Sequence, residues 1–245
     1  MSSATKQLQR AARIILIGAP GVGKGTQSER LLSRFPQLAS ISSGDLLREN
    51  VRRRTPLGLE AQTAMQSGNL VPDSMILSLI SSELNSRGWL LSSEKTESLP
   101  LSSNSSSTLS SSASFILDGF PRTASQATSL DTLVPVNFVV HLNTPPSVIL
   151  KRIASRWVHE PSGRVYNTDF QPPKVPGKDD VTGEPLTQRQ DDSIDTWKQR
   201  LSKFDETSKA LLEHYDRVGC LWRVNGNSSD EITPQLFAEF ERRFC

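Results

Sequence analysis

Cysteine is nearly absent from this chain of 245 residues, which contains only Cys220 and Cys245. These two lie far apart in sequence and form no C-x-x-C pair, which argues against a disulfide scaffold and against a cysteine-based metal site. No apolar run approaches the roughly 20 residues of a membrane-spanning helix. The formal net charge is only +2 and no dense basic run accompanies it, which argues against nucleic acid as a partner. We therefore expect a globular protein that binds neither nucleic acid nor a membrane.

Acidic residues are missing from the start of the chain. The first of them is Glu29, so residues 1–12 form a basic leader that carries Lys6 and Arg10. A basic, acid-free leader is typical of a segment that directs import into the mitochondrial matrix, and a solvated tail has the same composition. The sequence leaves both interpretations open.

Short apolar runs alternate with helical patterns along the chain. The predicted strands cover 13–17, 115–118, 136–142 and 221–224. The predicted helices cover 25–34, 45–54, 57–67, 74–86, 146–157, 193–217 and 232–244. Asp45 and Asp73 are expected to cap two of these helices, and Gly219 to end the long one. This alternation predicts an α/β fold with three layers, in which helices cover both faces of a parallel sheet.

Two stretches break the alternation. Residues 92–114 are mostly serine and predict a disordered surface insertion without a core. Residues 158–192 are rich in proline, glycine and charge. They predict a small lobe with little core of its own, which we expect to be mobile.

A glycine-rich loop follows the first predicted strand. It has the form G-x-x-x-x-G-K from Gly18 to Lys24, and Gly25 and Thr26 come next. Such a loop lets backbone N–H groups converge where the next helix presents its positive end, a geometry that binds polyphosphate. Lys24 would reach the outer phosphates, and the Thr26 hydroxyl, one place later than in the usual pattern, would contact Mg²⁺. The sequence therefore predicts a P-loop that binds a nucleoside triphosphate.

An acidic residue ends the predicted strand at 115–118, and a basic residue follows in the next loop. The run is F-I-L-D-G-F-P-R, which ends in Arg122. Asp118 would lie at the carboxyl end of the strand, the edge where ligands bind in such sheets. We expect Asp118 to hold Mg²⁺ through water and Arg122 to clamp phosphate. The structural alternative is that Asp118 only caps a turn.

Several motifs together, in order and spacing, resemble the adenylate kinase family. They are G-A-P-G-V-G-K-G-T at 18–26, S-S-G-D-L-L-R at 42–48, D-G-F-P-R at 118–122 with Gln126, H-E-P-S-G-R-V-Y at 159–166, P-P-K at 172–174, D-D-V-T-G-E at 179–184 and R-Q-D-D at 189–192. The resemblance runs from about residue 13 to 245, outside the serine-rich insertion. It implies a long-lid nucleoside monophosphate kinase with one kinase domain over 13–245. Its parts would be a core (13–41, 72–154 and 193–245), a mobile flap for the nucleoside monophosphate (42–71), the insertion (92–114) and the lid (155–192).

The resemblance also implies the nucleotide-binding residues. Those for the donor triphosphate would be Gly21, Val22, Gly23, Lys24, Gly25, Thr26, Arg152, Arg156, Val165, Tyr166 and Ser228. Those around AMP would be Ser43, Arg48, Asn69, Leu70, Val71, Gly119, Phe120, Pro121, Arg122, Gln126, Arg189 and Arg200. The catalytic set would be Lys24, Arg122, Arg156, Arg189 and Arg200, because fixed positive charges match phosphate oxygens. Asp191 and Asp192 would orient these arginines rather than act as a base.

The lid departs from the pattern of zinc-bearing relatives. His159 and Ser162, then Asp179 and Thr182, stand where those relatives place paired cysteines. Serine and threonine are poor zinc ligands. We therefore predict a hydrogen-bonded polar cluster without zinc, and Mg²⁺ with the triphosphate as the only cofactor.

The lid sequence and Ser43 are most similar to the corresponding residues of the mitochondrial branch of the family, which uses GTP. This similarity implies a donor of GTP or ITP, a place in the mitochondrial matrix and, since nothing argues for an obligate oligomer, a monomer. One alternative is an ordinary ATP:AMP phosphotransferase, with a cytoplasmic location. Another is a catalytically silent nucleotide-binding scaffold, against which the retained lysine and arginines argue. A switch GTPase should carry an N-K-x-D motif, and the chain has no Asn-Lys pair.

Overall fold

A five-stranded parallel sheet runs through the centre of the molecule, with strand order β2-β5-β1-β6-β9. The structure, a computed structural model, describes residues 6–66, 69, 71–91, 108–110, 112–188 and 193–245. The strands are β1 (Arg13–Ile17), β2 (Ala39–Ser42), β3 (Leu90–Leu91), β4 (Thr108–Leu109), β5 (Phe115–Asp118), β6 (Phe138–Asn143), β7 (Arg156–Val158), β8 (Val165–Asn167) and β9 (Leu221–Asn225). β3 with β4 and β7 with β8 form separate antiparallel pairs.

Helices cover both faces of the sheet, which confirms the α/β fold class. They are α1 (Lys24–Arg34), α2 (Ser43–Arg52), α3 (Pro56–Gln66), α4 (Asp73–Ser86), α5 (Ala124–Asp131), α6 (Pro146–Ala154), α7 (Ile194–Val218) and α8 (Ser229–Phe244). Alternate residues of β1 enter different hydrophobic clusters: Ile15 packs on one side and Ile14 on the other. Because the centre of the sheet is buried on both faces, the strands β1, β5 and β6 read as nearly continuous apolar runs.

Besides the short strands β3, β4, β7 and β8, the elements β2 and α5 escaped prediction, because their sequences are polar. β2 is A-S-I-S, in which only Ile41 is buried. α5 is A-S-Q-A-T-S-L-D, which is rich in residues that form helices weakly. The hydroxyl of Thr123 accepts a hydrogen bond from the Gln126 N–H at 3.2 Å and caps α5. Tertiary pairing and a cap, rather than propensity, thus create both elements.

Three expected helix boundaries were wrong. Ser42, not Asp45, caps α2, because the Ser42 hydroxyl accepts from the Asp45 N–H at 3.2 Å. Asp73 is the first residue of α4, and its carboxylate bonds to α5 instead of capping its own helix. The helix expected over 146–157 ends at Ala154, because the next residues pair with β8 as β7. Gly219 ends α7 in the left-handed conformation, as expected.

The expectation for the serine-rich insertion was wrong at its C-terminal end. Residues 92–107 and 111 lie outside the described residues. Beyond them β4 pairs with β3, and Ala113 and Ser114 are only 3% and 7% exposed. The Ser114 hydroxyl accepts from the Ala12 N–H at 3.1 Å, and the Ser110 carbonyl accepts from Arg13 at 3.2 Å. Serine is small and its hydroxyl can satisfy a buried N–H, so composition alone could not separate this packed end from the rest.

The described part of the basic leader is attached to the core, although most of its polar side chains stay exposed. The N–H of Gln9 donates to the carbonyl of Phe244 at 2.8 Å, and Lys6 pairs with Glu241 at 2.7 Å. Leu8 packs against one hydrophobic cluster, and Ala12 is fully buried. These contacts attach residues 6–12 to α8. Among the described residues no helix combines the length and the apolar character needed to cross a membrane.

A pair of deletions tests where the insertion ends. Deleting residues 95–105 retains β3 and β4, so the melting temperature should stay within about 2 °C, since shortening a connection changes closure entropy little. Deleting 95–112 removes β4 and Ser110, and thermal unfolding followed by circular dichroism should show a loss of about 5 °C or more. Equal melting temperatures for the two variants would contradict the boundary.

Candidate active site

A cleft of about 540 Å³ opens at the carboxyl ends of β1, β2 and β5. In the register of the sheet, Asp118 at the end of β5 pairs with Leu16 of β1 and Ser42 of β2. The loops that follow these strands therefore meet at one edge, where α/β sheets bind ligands. The cleft is lined by the glycine loop, the start of α1, residues of α2, the 118–122 loop, the lid and α7.

The glycine loop is held from two sides. The indole N–H of Trp197 in α7 donates to the carbonyl of Pro20 at 2.9 Å, and Arg152 in α6 donates to the carbonyl of Val22 at 2.9 Å. At Gly21, where φ is +83°, a Cβ would lie 2.7 Å from the side chain of Ile153. The loop ends at Gly23, the N-cap of α1, so the unpaired N–H groups of the first turn face the cleft.

Lys24 is the first residue of α1 and is half-buried. Its ammonium donates to the carbonyls of Gly18 at 2.8 Å and Ala19 at 3.2 Å. Burial lowers the pKa of Lys24 to about 8; the nearby Asp118 carboxylate acts against this shift. The ammonium is thus held at the loop by groups that an anionic phosphate would replace with a stronger interaction.

Asp118 shares the cleft with the Thr26 hydroxyl. Burial raises the pKa of Asp118, while the charge of Lys24 lowers it. A carboxylate and a hydroxyl are hard oxygen ligands, which Mg²⁺ prefers. This donor set fits a Mg²⁺ ion that arrives with a nucleotide. In the part of the chain that the structure describes, no group of three or more His, Cys, Asp or Glu side chains could hold a metal ion.

Arginines from separate elements surround the cleft. Arg48 comes from α2, Arg122 from the loop after β5, Arg156 from β7 and Arg200 from α7. The positive charges of Arg122, Arg200 and Arg156 lower the pKa of Lys24, so all three lie within electrostatic reach of it. Arg48 pairs with Asp45 one turn earlier in α2. A cleft with these cations is suited to polyphosphate.

The loop after β5 presents Gly119 and Arg122 to the cleft. At Gly119, where φ is +83°, a Cβ would lie 2.7 Å from the Ser43 hydroxyl oxygen, so only glycine lets α2 approach this closely. The Arg122 side chain donates to the carbonyl of Gly119 at 2.7 Å. The peptide bond between Phe120 and Pro121 is cis. The approach of α2 brings Arg48 and Arg122 to the same cleft.

Most of the predicted site residues line this cleft. They are Gly21, Gly23, Lys24, Gly25, Thr26, Arg48, Asp118, Gly119, Pro121, Arg122, Arg152, Arg156, Val165, Tyr166, Arg200 and Ser228. Val22, Ser43, Asn69, Val71, Phe120 and Gln126 are not part of the lining. Leu70 and Arg189, and with them Asp191 and Asp192, lie outside the described residues.

Among the predicted site residues, the position of Gln126 differs most from expectation. It was expected to face an adenine edge, but it is only 2% exposed. Its amide oxygen accepts from the Arg122 N–H at 2.7 Å, and its amide nitrogen donates to Asp73 at 2.7 Å. Gln126 therefore lies behind the cleft wall, directly bonded to the backbone of a residue that lines it.

The expected polar cluster is present in the lid. His159, which is 1% exposed, contacts the Ser162 hydroxyl at 2.7 Å and Glu184 at 2.6 Å. Buried Asp179 accepts from the Thr182 hydroxyl at 2.9 Å and from two nitrogens of Arg164, at 2.8 and 2.6 Å. The hydrogen bonds from the Arg164 guanidinium hold the pKa of the Asp179 carboxyl well below its ordinary value.

The sequence reasoning missed Phe170. This residue lines the cleft from the lid with half of its surface exposed, and the Arg152 guanidinium lies 5.5 Å from the centre of its ring. A flat cation and an aromatic ring that both line a nucleotide cleft can hold a base by stacking. The available signal was an aromatic residue in the otherwise polar N-T-D-F-Q run at 167–171.

Comparisons with known proteins agree with this geometry. The chain matches the family model described as adenylate kinase over residues 16–93 and the one described as adenylate kinase, active site lid, over residues 156–191. It is 45% identical over 242 residues to "GTP:AMP phosphotransferase, mitochondrial" of Saccharomyces cerevisiae, covering 97% of this chain and 95% of that protein. The identically named protein of S. cerevisiae strain ATCC 204508 / S288c is 46% identical over 230 residues (92% and 94%), and that of Drosophila melanogaster 39% over 224 residues (91% and 93%).

The buried position of Lys24 predicts a pH dependence of donor capture. With a pKa of about 8, the ammonium of the free protein loses its proton as the pH rises past 8. The kcat/KM for a nucleoside triphosphate should therefore fall roughly tenfold for each further pH unit, whereas kcat should stay flat to higher pH because bound phosphates retain the proton. An inflection of kcat/KM at pH 9.5 or above would contradict the pKa shift.

The lid cluster predicts an absence of zinc. Protein purified without chelators should contain far less than one equivalent of zinc by plasma mass spectrometry, because the cluster offers hydroxyls where thiolates are needed. Incubation with EDTA should leave the melting temperature unchanged. Stoichiometric zinc would refute this interpretation of the lid.

Proposed function

The chain belongs to the adenylate kinase family, and from this membership we propose that it transfers the γ-phosphoryl group of GTP or ITP to AMP. The products are the nucleoside diphosphate and ADP. The observation that carries the proposal is the convergence of Lys24, Asp118 and the arginines of several elements on one cleft. Phosphoryl transfer requires this kind of positioning and positive charge more than it requires covalent chemistry from the protein.

The glycine loop binds the donor phosphates. N–H groups at the start of α1 and the Lys24 ammonium point to the place where the β- and γ-phosphates lie, and Arg156 approaches from the lid. Lys24 exchanges its bonds to the carbonyls of Gly18 and Ala19 for bonds to phosphate oxygens. Its charge then stabilises the charge that spreads over the transferring group.

The acceptor phosphate lies at the other end of the cleft. Arg48 and Arg122 clamp it, and Arg200 of α7 lies between acceptor and donor. The attacking atom is a phosphate oxygen of AMP, which is already ionised at neutral pH since the second pKa of such a monoester is about 6. No general base is required, which is consistent with an orienting role for Asp191 and Asp192.

Asp118 and Thr26 would hold Mg²⁺ together with the donor phosphates. When bound, the ion neutralises phosphate charge and fixes the donor chain. Burial raises the pKa of the Asp118 carboxyl and the charge of Lys24 opposes this rise, so a bound cation would further favour the ionised form.

Two segments of the chain exclude water from the reaction. The flap (42–71) carries Ser43, Arg48, Asn69 and Val71 to the acceptor, and the lid (155–192) carries Arg156 to the donor. Water near the activated phosphoryl group would hydrolyse the donor. Closure of both segments on bound substrates assembles the arginines only when both nucleotides are present.

The donor base lies beside Arg152 and Phe170, next to Val165, Tyr166 and Ser228. The Tyr166 hydroxyl is already engaged, because it donates to Asp179 and accepts from the Asp180 N–H, each at 2.9 Å. Stacking and backbone contacts therefore hold the base. The preference for GTP or ITP, like the location in the mitochondrial matrix, is supported by the names of the relatives.

Initial rates of ADP formation from AMP test this function. The assay offers GTP, ITP or ATP with Mg²⁺, and controls lack AMP. We expect AMP-dependent turnover that is fastest with GTP or ITP. A preference for ATP would retain the chemistry and overturn the donor assignment, whereas no AMP-dependent turnover with any donor would indicate a nucleotide-binding scaffold.

Lys24→Met gives the matching residue test. Loss of the buried ammonium should lower kcat by at least about 100-fold, as for other groups that stabilise transition-state charge. Lys209→Met makes the same change at an exposed position of α7 and should leave the rate unaltered. Retained activity in Lys24→Met would show that this role is assigned incorrectly.

A further inference from the structure

The turn from β9 into α8 forms one wall of the cleft, through residues 228–230. Arg152, beside which the donor base lies, is bonded to this turn and to the glycine loop. Its guanidinium donates to the carbonyl of Asn227 and to the carbonyl of Val22, each at 2.9 Å. A base that contacts Arg152 therefore lies next to the segment that begins at Asn227, and residues 228–230 are the nearest part of the wall along the chain.

Asp230 is the negatively charged residue of this wall, and α1 holds it in place. One of its carboxylate oxygens pairs with Arg30 of α1 at 2.8 Å. The Arg30 guanidinium also donates to the hydroxyl of Thr233, one turn further along α8, at 2.8 Å. Arg30 and Asp230 both line the cleft. An ionised carboxylate offers about four lone-pair sites, so Asp230 can accept from a ligand while it stays paired with Arg30.

A carboxylate is out of place in a cleft that binds phosphate unless it faces another part of the nucleotide. The cations Lys24, Arg122 and Arg200 line the same cleft and suit the phosphates. A carboxylate only accepts hydrogen bonds, so it complements a base edge that only donates. Guanine has such an edge, because its N1–H and its 2-amino group lie side by side and match the two carboxylate oxygens. Hypoxanthine retains the N1–H alone, and adenine presents a lone pair at N1.

We propose that Asp230 is a specificity-determining residue, whose carboxylate accepts from the N1–H and the 2-amino group of the donor base. The inference rests on the proposed function and narrows its donor: GTP is preferred to ITP, and ITP to ATP. ITP loses one of the two charge-assisted hydrogen bonds. ATP loses both and sets the N1 lone pair against a negative charge, and a site built to accept from N–H groups rejects an analogue that lacks them.

Asp230→Asn tests the contact with almost no change in shape. The measurement is kcat/KM for GTP, ITP and ATP at saturating AMP in the unmodified chain and in the variant. The new amide offers one donor and one acceptor, which suits the N1 and 6-amino group of adenine. We expect the GTP/ATP ratio to fall at least about tenfold and the GTP/ITP ratio about threefold, since bonds to charged groups are the strong ones. Unchanged ratios would overturn the role of Asp230.

Two controls remove a negative charge elsewhere. Glu29→Gln removes another carboxylate that lines the cleft from α1, and Asp195→Asn removes an exposed carboxylate from the first turn of α7. Both should leave the GTP/ATP ratio within about twofold of the unmodified chain. If Glu29→Gln lowers the ratio as much as Asp230→Asn does, the general charge of the cleft decides the preference and the proposed contact is wrong.

Arg30→Gln separates base recognition from the tie between α1 and α8. This variant breaks the ion pair but leaves the Asp230 carboxylate in the cleft wall. The GTP/ATP ratio should therefore stay within about threefold of the unmodified chain. A fall equal to that in Asp230→Asn would assign the effect to the tie between the helices and overturn the contact with the base.

The same assay distinguishes the two levels of inference. If the unmodified chain prefers GTP and the ratios do not respond to Asp230, only the role of Asp230 fails. If the unmodified chain prefers ATP, the donor assignment and the role of Asp230 fail together, while phosphoryl transfer to AMP stands. If no donor supports AMP-dependent turnover, the proposed function fails, and the inference fails with it.

Discussion

The parallel register between β1 and β5 is the constraint on which the site depends. Leu16 pairs with Asp118, and the chain then leaves β1 through the glycine loop that begins at Gly18. This register places Asp118, at the end of β5, within electrostatic reach of Lys24. Lys24 lies at the start of α1, the helix that follows β1. A shift of one residue would turn each side chain of β5 to the opposite face, so the buried pattern that holds the sheet together also fixes the lysine–carboxylate pair. The register between β1 and β5 thus positions both the hydrophobic core and the reaction centre.

Positive charge in the cleft is the second feature on which substrate binding depends. Several cationic side chains of the cleft bond to backbone carbonyls: Lys24 to Gly18 and Ala19, Arg152 to Val22 and Arg122 to Gly119. A carbonyl satisfies a cation only partly, and mutual repulsion contributes to the lowered pKa of Lys24. Phosphate oxygens relieve this repulsion and offer stronger charge-assisted bonds. The chain therefore holds these cations in place through backbone carbonyls, which favours binding of an anionic substrate.

The sequence predicted best the features that depend on local chemistry. The glycine loop, Asp118 after its strand and the hydroxyl-rich lid cluster each follow from residue types at short spacing, and the structure brings them to the expected places. Features that depend on tertiary partners were missed: β2 exists because it pairs with β5, and Ser114 is buried because it satisfies the Ala12 N–H. Gln126 shows the same limit inside the site. Its residue type indicates an amide that can bind a base, but nothing local reveals that Arg122 and Asp73 hold it from both sides.

The lid shows how a segment with few apolar residues can still form a defined unit. Val158, Tyr166 and Leu186 are buried there, but none of them belongs to the hydrophobic clusters on either side of the central sheet. Between them Asp179 receives hydrogen bonds from Arg164, Tyr166 and Thr182, so the lobe is organised around a buried carboxylate instead of an apolar centre. Such a cluster is stable only when all its members are satisfied, because a half-satisfied buried charge costs more than the bonds return. The satisfied Asp179 therefore ties the strands and loops of the lobe to one another, and Arg156 and Phe170 project into the cleft from this connected unit.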